Sequence, residues 1–449
     1  MARIGVFFLL GLLASSQAYD YKDALQKSLL FYQAQRSGKL SGMDSSLYWR
    51  GDSALNDKGQ NGEDLTGGYY DAGDHVKFGF PMAFAMTTLA WGILDWGDGY
   101  TSAGVMDEAR NCIRWGMDYL IKAHISDNEL YVQVGDGTAD HNYWGRPEDM
   151  TMDRPSYKIT TSAPGSDVAA ETAAAFAAAS LVFKGVDDNY ANTLLSHAKA
   201  LFDFADNYRG VYSDSVSAAA SFYGSNGYAD ELPWGAVWLY RATASESYLN
   251  RAIELYNEGG LQYRSGYGWD EKSSGATVMI ARFTSDQTYK TTVQSYCDNL
   301  MNNQQRTPKG LIFLGEWGSL RNMAGAMFIC MMASDRGINP TAYRSMVKEQ
   351  MGYALGDTGF SYVCGIDSNY PRSPHHRSSS CPDAPATCDW NTFNGAQANA
   401  HVLNGALVGG PGANDDYVDT RQDAQKNEVA LDYNAPFQGL LAALIKYNL

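Results

Sequence analysis

Apolar residues recur with a helical period in about a dozen segments of this chain, and the stretches between them are rich in Gly, Asp, Trp and Tyr. The segments lie near 21–36, 82–96, 106–123, 167–184, 192–207, 231–242 and 246–257, and continue near 273–282, 287–303, 318–334, 341–354, 395–406 and 437–447. In the most apolar of them, Val168 to Phe183 is almost all Ala, Val, Leu and Phe, with Glu171 its one charge. Alanine is the best helix former and carries little bulk, so such a helix can pack closely on every side. Ser166 and Asp167 stand where an N-cap is expected. Gly337 and Pro340 stop one helix and open the next. Helices joined by alternating short and long connections read as stacked hairpins. Six hairpins closed into a ring make an all-α, (α/α)6 barrel. Periodicity does not show closure, and an open α-solenoid fits the same pattern, although the sequence carries no repeat of fixed period.

The first residues read Met1-Ala2-Arg3, then an apolar run from Ile4 to Leu13, then Ser16-Gln17-Ala18. That pattern predicts a cleavable signal peptide at 1–18 and a secreted, extracellular product. The run is too short to span a bilayer, and no later stretch is expected to cross one. No Pro/Ser/Thr-rich linker interrupts the rest, so 19–449 is expected to form a single domain. The charge balance, 34 basic against 50 acidic residues for a net −16, argues against nucleic acid and anionic membranes as partners. A neutral polymer meets no such barrier. The 10 Trp and 30 Tyr suit sugar rings, though most are expected to fill the core. Export permits disulfides. Cys381 and Cys388 are the expected local pair, whereas Cys112, Cys297 and Cys330 lie in apolar helical stretches and read as small buried hydrophobes. No C-x-x-C pair points to zinc.

Chemistry is expected on the long connections 61–81, 131–160 and 356–394, and on the tail 409–436. In Tyr70-Asp71-Ala72-Gly73-Asp74 two carboxylates stand three residues apart across a bendable turn, so both can address one water. An Asx-turn or a calcium loop has the same spacing. Glu428 is followed by Val-Ala-Leu, and an apolar setting raises a carboxyl pKa as a general acid requires. Taken alone, a solvated helix-edge glutamate is the stronger reading. Pro374-His375-His376-Arg377 offers donors for hydroxyls or a carboxylate.

Together with Asp140-His141-Asn142-Tyr143-Trp144-Gly145, Asp230-Glu231-Leu232-Pro233-Trp234-Gly235 and Trp317-Gly318-Ser319-Leu320-Arg321-Asn322, these motifs run the length of the chain. On them it resembles family 9 of the glycoside hydrolases, in particular the animal endo-β-1,4-glucanases (cellulases) of that family. The resemblance implies an (α/α)6 barrel and hydrolysis of β-1,4-glucan with inversion, without a catalytic cofactor. It implies Asp74 as general base with Asp71 holding the water, and Glu428 as general acid. His375 joins this catalytic group, and with Arg377 binds the sugar next to the cut. His141, Trp144, Trp317, Arg321 and Tyr433 match positions lining sugar subsites. Asn226, Gly227, Asp230 and Glu231 match a segment that holds a structural calcium in several members; the two acids could instead pair with Arg or cap a helix. The expected partner is β-1,4-glucan, met by a monomer in an extracellular setting such as a digestive lumen. Ala424, Pro436 and Ile366-Asp367 depart from the family pattern, which bears on subsite shape rather than on proton transfer. A catalytically silent sugar-binding protein and an exo-acting α/α-barrel glycosidase are the rival readings.

Overall fold

Twelve long helices carry the chain through two concentric rings in a computed structural model that describes residues 19–449; the expected signal peptide lies outside the described residues. The helices are α1 (Tyr21–Ala34), α2 (Gly79–Ser102), α3 (Met106–Ala123), α4 (Ser166–Phe183), α5 (Asp188–Asn207) and α6 (Glu231–Thr243). They continue as α7 (Glu246–Glu258), α8 (Ser273–Phe283), α9 (Gln287–Asn302), α10 (Ser319–Asp335), α11 (Pro340–Leu355) and α12 (Leu431–Tyr447). The even-numbered helices form the inner ring: α2 touches α4, and contact passes through α6, α8, α10 and α12 back to α2. Each of α3, α5, α7, α9 and α11 packs on the inner helix before it, and α1 packs on α12. Chain start and chain end thus meet, so the hairpins form a closed barrel and not a solenoid.

Composition explains which helix goes where. α7 buries Leu249, Ala252, Leu255 and Tyr256 on one stripe and faces solvent elsewhere, as an outer helix should. α4 is buried almost all round. It is long and apolar enough to cross a bilayer, contrary to the sequence expectation, but 94% of it is buried within the protein. Buried Glu171 within it accepts from Thr87 at 2.6 Å and faces Lys272 at 3.6 Å. α2 and α12 approach so closely that a Cβ at Gly99 would stand 2.0 Å from the Ala442 carbonyl oxygen. Trp91, Trp234, Trp238, Tyr267 and Phe328 interlock in the core, with the Trp91–Trp234 and Trp91–Phe328 centroids each 5.3 Å apart. Such pairs contribute about 0.5–1.5 kcal/mol each beyond area burial.

Five sequence expectations change, counting the apolarity of α4. α4 begins at Ser166 with Gly165 as its cap, and Asp167 instead accepts from the backbone N–H of Val168 and Tyr212. The segment 395–406 is irregular, because tertiary donors replace helical ones: Arg421 takes the carbonyls of Gly395 and Gln397, and Asn434 takes that of Gly405. Cys297 and Cys330 are bridged, since α9 and α10 face each other with those Cα atoms 5.7 Å apart. Cys381–Cys388 is bridged as expected, and Cys112 is a free buried thiol. A small antiparallel sheet also interrupts what reads as loop. Its strands are β1 (Lys77–Phe78), β2 (His124–Ser126), β3 (Glu129–Val134) and β4 (Ser156–Ile159), with β3 pairing to each of the others. The pairing of Lys77 with Val134 anchors the loop that carries Asp71 and Asp74.

Candidate active site

Three chain segments are laced together at one end of the barrel. The Asp71 N–H donates to the Val76 carbonyl, closing the glycine turn, and the Asp71 carbonyl accepts from Leu431 N–H at the start of α12. Arg377 N–H donates to the Gly73 carbonyl at 3.1 Å, and His375 N–H to the Asn427 carbonyl at 2.8 Å. Gly73 is required here, because a Cβ would lie 2.0 Å from the His375 carbonyl oxygen. The turn is also pinned from below. Buried Lys77 pairs with Asp57 at 2.7 Å, which Arg154 holds at the same distance.

This lacing brings Asp71, Asp74 and Glu428 to one cleft of about 400 Å³, lined also by Phe222, Tyr223, Trp269, Trp317, Arg321 and Tyr433. A second concavity of about 450 Å³ shares Trp269 and Arg321 with it and extends the groove along Ser265–Glu271. Asp71 is 1% exposed; one carboxylate oxygen accepts from the Tyr223 hydroxyl, and the other has no protein partner. Burial, then the charges of Asp74 and Asp432, push its pKa well above the usual carboxylate range. Asp74 faces His141 Nε2 at 3.5 Å. Burial opposes the proton on that imidazole, but the Asp74 carboxylate prevails and raises its pKa. Glu428 is partly buried, and burial followed by repulsion from Asp74 pushes its carboxyl up to about 8. His375 Nδ1 donates to the Arg421 carbonyl at 2.5 Å, which leaves Nε2 as the acceptor, and burial lowers its pKa to about 4.

The other expected site residues fall in different layers. Trp317 is 51% exposed on the cleft wall. Arg321 lies over the Tyr433 ring at 5.3 Å and faces buried Asp432 at 3.6 Å. Tyr433 is itself almost wholly buried. Trp144 is buried behind His375, with centroids 5.3 Å apart, and donates to Ser380 Oγ at 3.1 Å. Arg377 is buried against Asp140 and packs on Trp144. The reading by sequence passed over Tyr223, Trp269 and Phe222, which no local spacing connects to Asp71. It also passed over Asp140, although that residue stands inside the stretch containing His141.

The residues offered for calcium fit such an ion in composition. Glu231 is fully buried and keeps one oxygen without a partner, while the other meets Lys272 at 3.3 Å. Asp230, Asp167 and Asp270 all add to the negative potential that pushes Glu231 upward, after burial. Against this, Asp230 is engaged by the Lys272 N–H and by Arg264 at 3.2 Å.

A closed double ring of helices with three carboxyl groups in one aromatic-lined cleft fits an α/α-barrel glycoside hydrolase. The family model for glycosyl hydrolase family 9 matches residues 21–441, and the chain belongs to that family. Endoglucanase B of Cellulomonas fimi is 48% identical over 96% of this chain, which spans 43% of that relative's length. The endoglucanase structure from the termite Nasutitermes takasagoensis matches with a TM-score of 0.95 and 60% identity, covering 96% of this chain and all of that one. The Clostridium cellulolyticum cellulase Cel9M in complex with cellobiose matches at TM-score 0.90 and 34% identity, covering 96% of this chain and 100% of that one.

Proposed function

We propose that this chain is a secreted endo-β-1,4-glucanase that hydrolyses internal bonds of cellulose and related β-glucans with inversion at the anomeric carbon. The observation that carries this reading is the meeting of Asp71, Asp74 and Glu428 in one groove walled by Trp269, Trp317 and Tyr433. Relatives named endoglucanases, and a relative solved with cellobiose, support the substrate class.

Asp74 acts as the general base. It takes a proton from a water that Asp71 holds through the carboxyl oxygen left free by Tyr223. Glu428 acts as the general acid, because a carboxyl raised to about 8 keeps its proton at neutral pH and can deliver it to the leaving oxygen. An inverting pair stands roughly 6.5–9.5 Å apart to admit the water. His375, neutral and fixed by Arg421, offers Nε2 to a sugar hydroxyl, and Arg377 steadies this wall through Asp140 and Trp144. A calcium held by Asn226, Gly227, Asp230 and Glu231 would supply structure and take no part in proton transfer. The enzyme works as a monomer outside the cell.

Hydrolysis of a defined β-1,4 oligomer, followed by NMR of the first-formed anomer, tests the proposal. An α-anomer that precedes mutarotation is expected, and a β-anomer overturns inversion. Asp74→Asn is expected to cut turnover about 10²- to 10⁴-fold while sugar binding persists. Rapid viscosity loss with few new reducing ends is expected of endo action; the reverse would identify an exo-enzyme.

A further inference from the structure

An exposed tryptophan, to which the mechanism gives no sugar contact, stands beside the cleft, one residue's backbone away from the cleft-lining His141. Trp390 is 43% exposed, although Phe393 and Trp144 pack beside it with centroids 5.2 and 5.9 Å away. Single exposed apolar side chains are ordinary on a protein surface; this ring differs in being fixed beside the cleft by the groups that hold the reacting residues. Its support is rigid. The Cys381–Cys388 bridge closes the loop before it, and Asp389 and Thr392 form a capping box around the helix Trp390–Asn394. The Arg421 guanidinium takes the carbonyls of Thr392 and Gly395 at 2.9 Å each.

The same supports reach the reacting groups. The Trp390 indole N–H donates to the Asn142 carbonyl at 3.2 Å, next to the His141 that faces Asp74. Trp144 packs on His375, and the Arg421 carbonyl holds His375 Nδ1. At the other end, Trp269 packs on Tyr223, the partner of Asp71, with centroids 4.9 Å apart. Phe222, the neighbour of Tyr223, packs on His141 with centroids 4.8 Å apart, so contacts run from Trp269 through Tyr223 and Phe222 to His141 and Trp390, with Asp71 facing Tyr223 and Asp74 facing His141.

We propose that Trp390 is a stacking platform for a glucosyl ring, placed across the scissile bond from Trp269. This rests on the reading of the groove as a β-1,4-glucan site. Rings bound on both sides of the cut would make the enzyme favour internal bonds.

The test uses reducing-end-labelled cellopentaose and the full chain. Trp390→Ala is expected to lower kcat/KM about tenfold, the scale of one stacked ring, and Trp390→Phe to restore most of it. Trp390→Ala and Trp269→Ala should move the cleavage position in opposite directions. An unchanged product distribution, or a shift in the same direction, overturns the proposal. A measurement without a Trp substitution guards against misfolding: in Glu428→Gln, cellopentaose should protect Trp390 from oxidation by N-bromosuccinimide, read by peptide mass, and undiminished oxidation overturns the proposal. If the unmodified enzyme does not cleave cellopentaose, the glucanase reading fails, an outcome distinct from a platform that fails alone.

Discussion

Glu428→Gln should raise stability while it abolishes turnover, and the gain should depend on pH. In the unfolded chain the Glu428 carboxyl titrates near 4.5, whereas in the fold burial and Asp74 hold it near 8. Between these values the folded state binds the extra proton, so stability falls as pH rises from 4.5 toward 8. Each pKa unit corresponds to about 1.36 kcal/mol, so by about pH 7 the cost is about 2–3 kcal/mol after allowance for partial exposure to the cleft. Glutamine keeps the shape and does not titrate, which removes that cost. An unfolding entropy of about 2.1 cal/mol/K per residue gives about 0.9 kcal/mol/K for this chain, so the gain becomes about 2–3 °C in Tm. Calorimetry of both proteins near pH 4 and near pH 7, with a reducing-sugar assay, checks it. Equal Tm values are expected at the lower pH and a higher Tm for the variant at the upper one, with turnover reduced about 10²- to 10⁴-fold. A gap independent of pH, or a variant retaining more than about a tenth of the rate, would refute the reasoning.

Gly73→Ala should leave the barrel folded but displace the Asp71–Asp74 turn, because the new Cβ meets the His375 carbonyl; a circular dichroism spectrum like the parent's beside a rate reduced at least tenfold, about 1.4 kcal/mol, is expected. Replacing Cys330 by Ala opens a cross-link of 33-residue separation, and the loop-entropy relation predicts a loss of about 3–4 kcal/mol, read as the shift of a urea midpoint. Incubation with a chelator should lower Tm, and added calcium should restore it, if Glu231 and its neighbours hold the ion; a Tm indifferent to both discards that site.

Legibility followed range in the chain. The period of α7 and the uniform apolarity of α4 are local patterns, and each places its helix in the outer or inner ring without further information. The pairing of Cys381 with Cys388, seven residues on, was equally plain. Cys297 and Cys330 read as isolated hydrophobes because their meeting depends on how α9 lies against α10. The segment 395–406 reads as a helix by composition, but distant donors such as Arg421 and Asn434 claim its carbonyls.

By itself the sequence determined the helical hairpins, the closeness of Asp71 to Asp74, and the apolar setting of Glu428, since a residue's period and nearest neighbours are set within a few positions. Only the tertiary structure decided that Tyr223 reaches Asp71 across 152 residues, that Arg377 meets Asp140 across 237, and that Glu428 shares a groove with the early turn. These contacts exist because α12 closes the ring between α2 and α10, and closure is a property of all twelve helices packing at once.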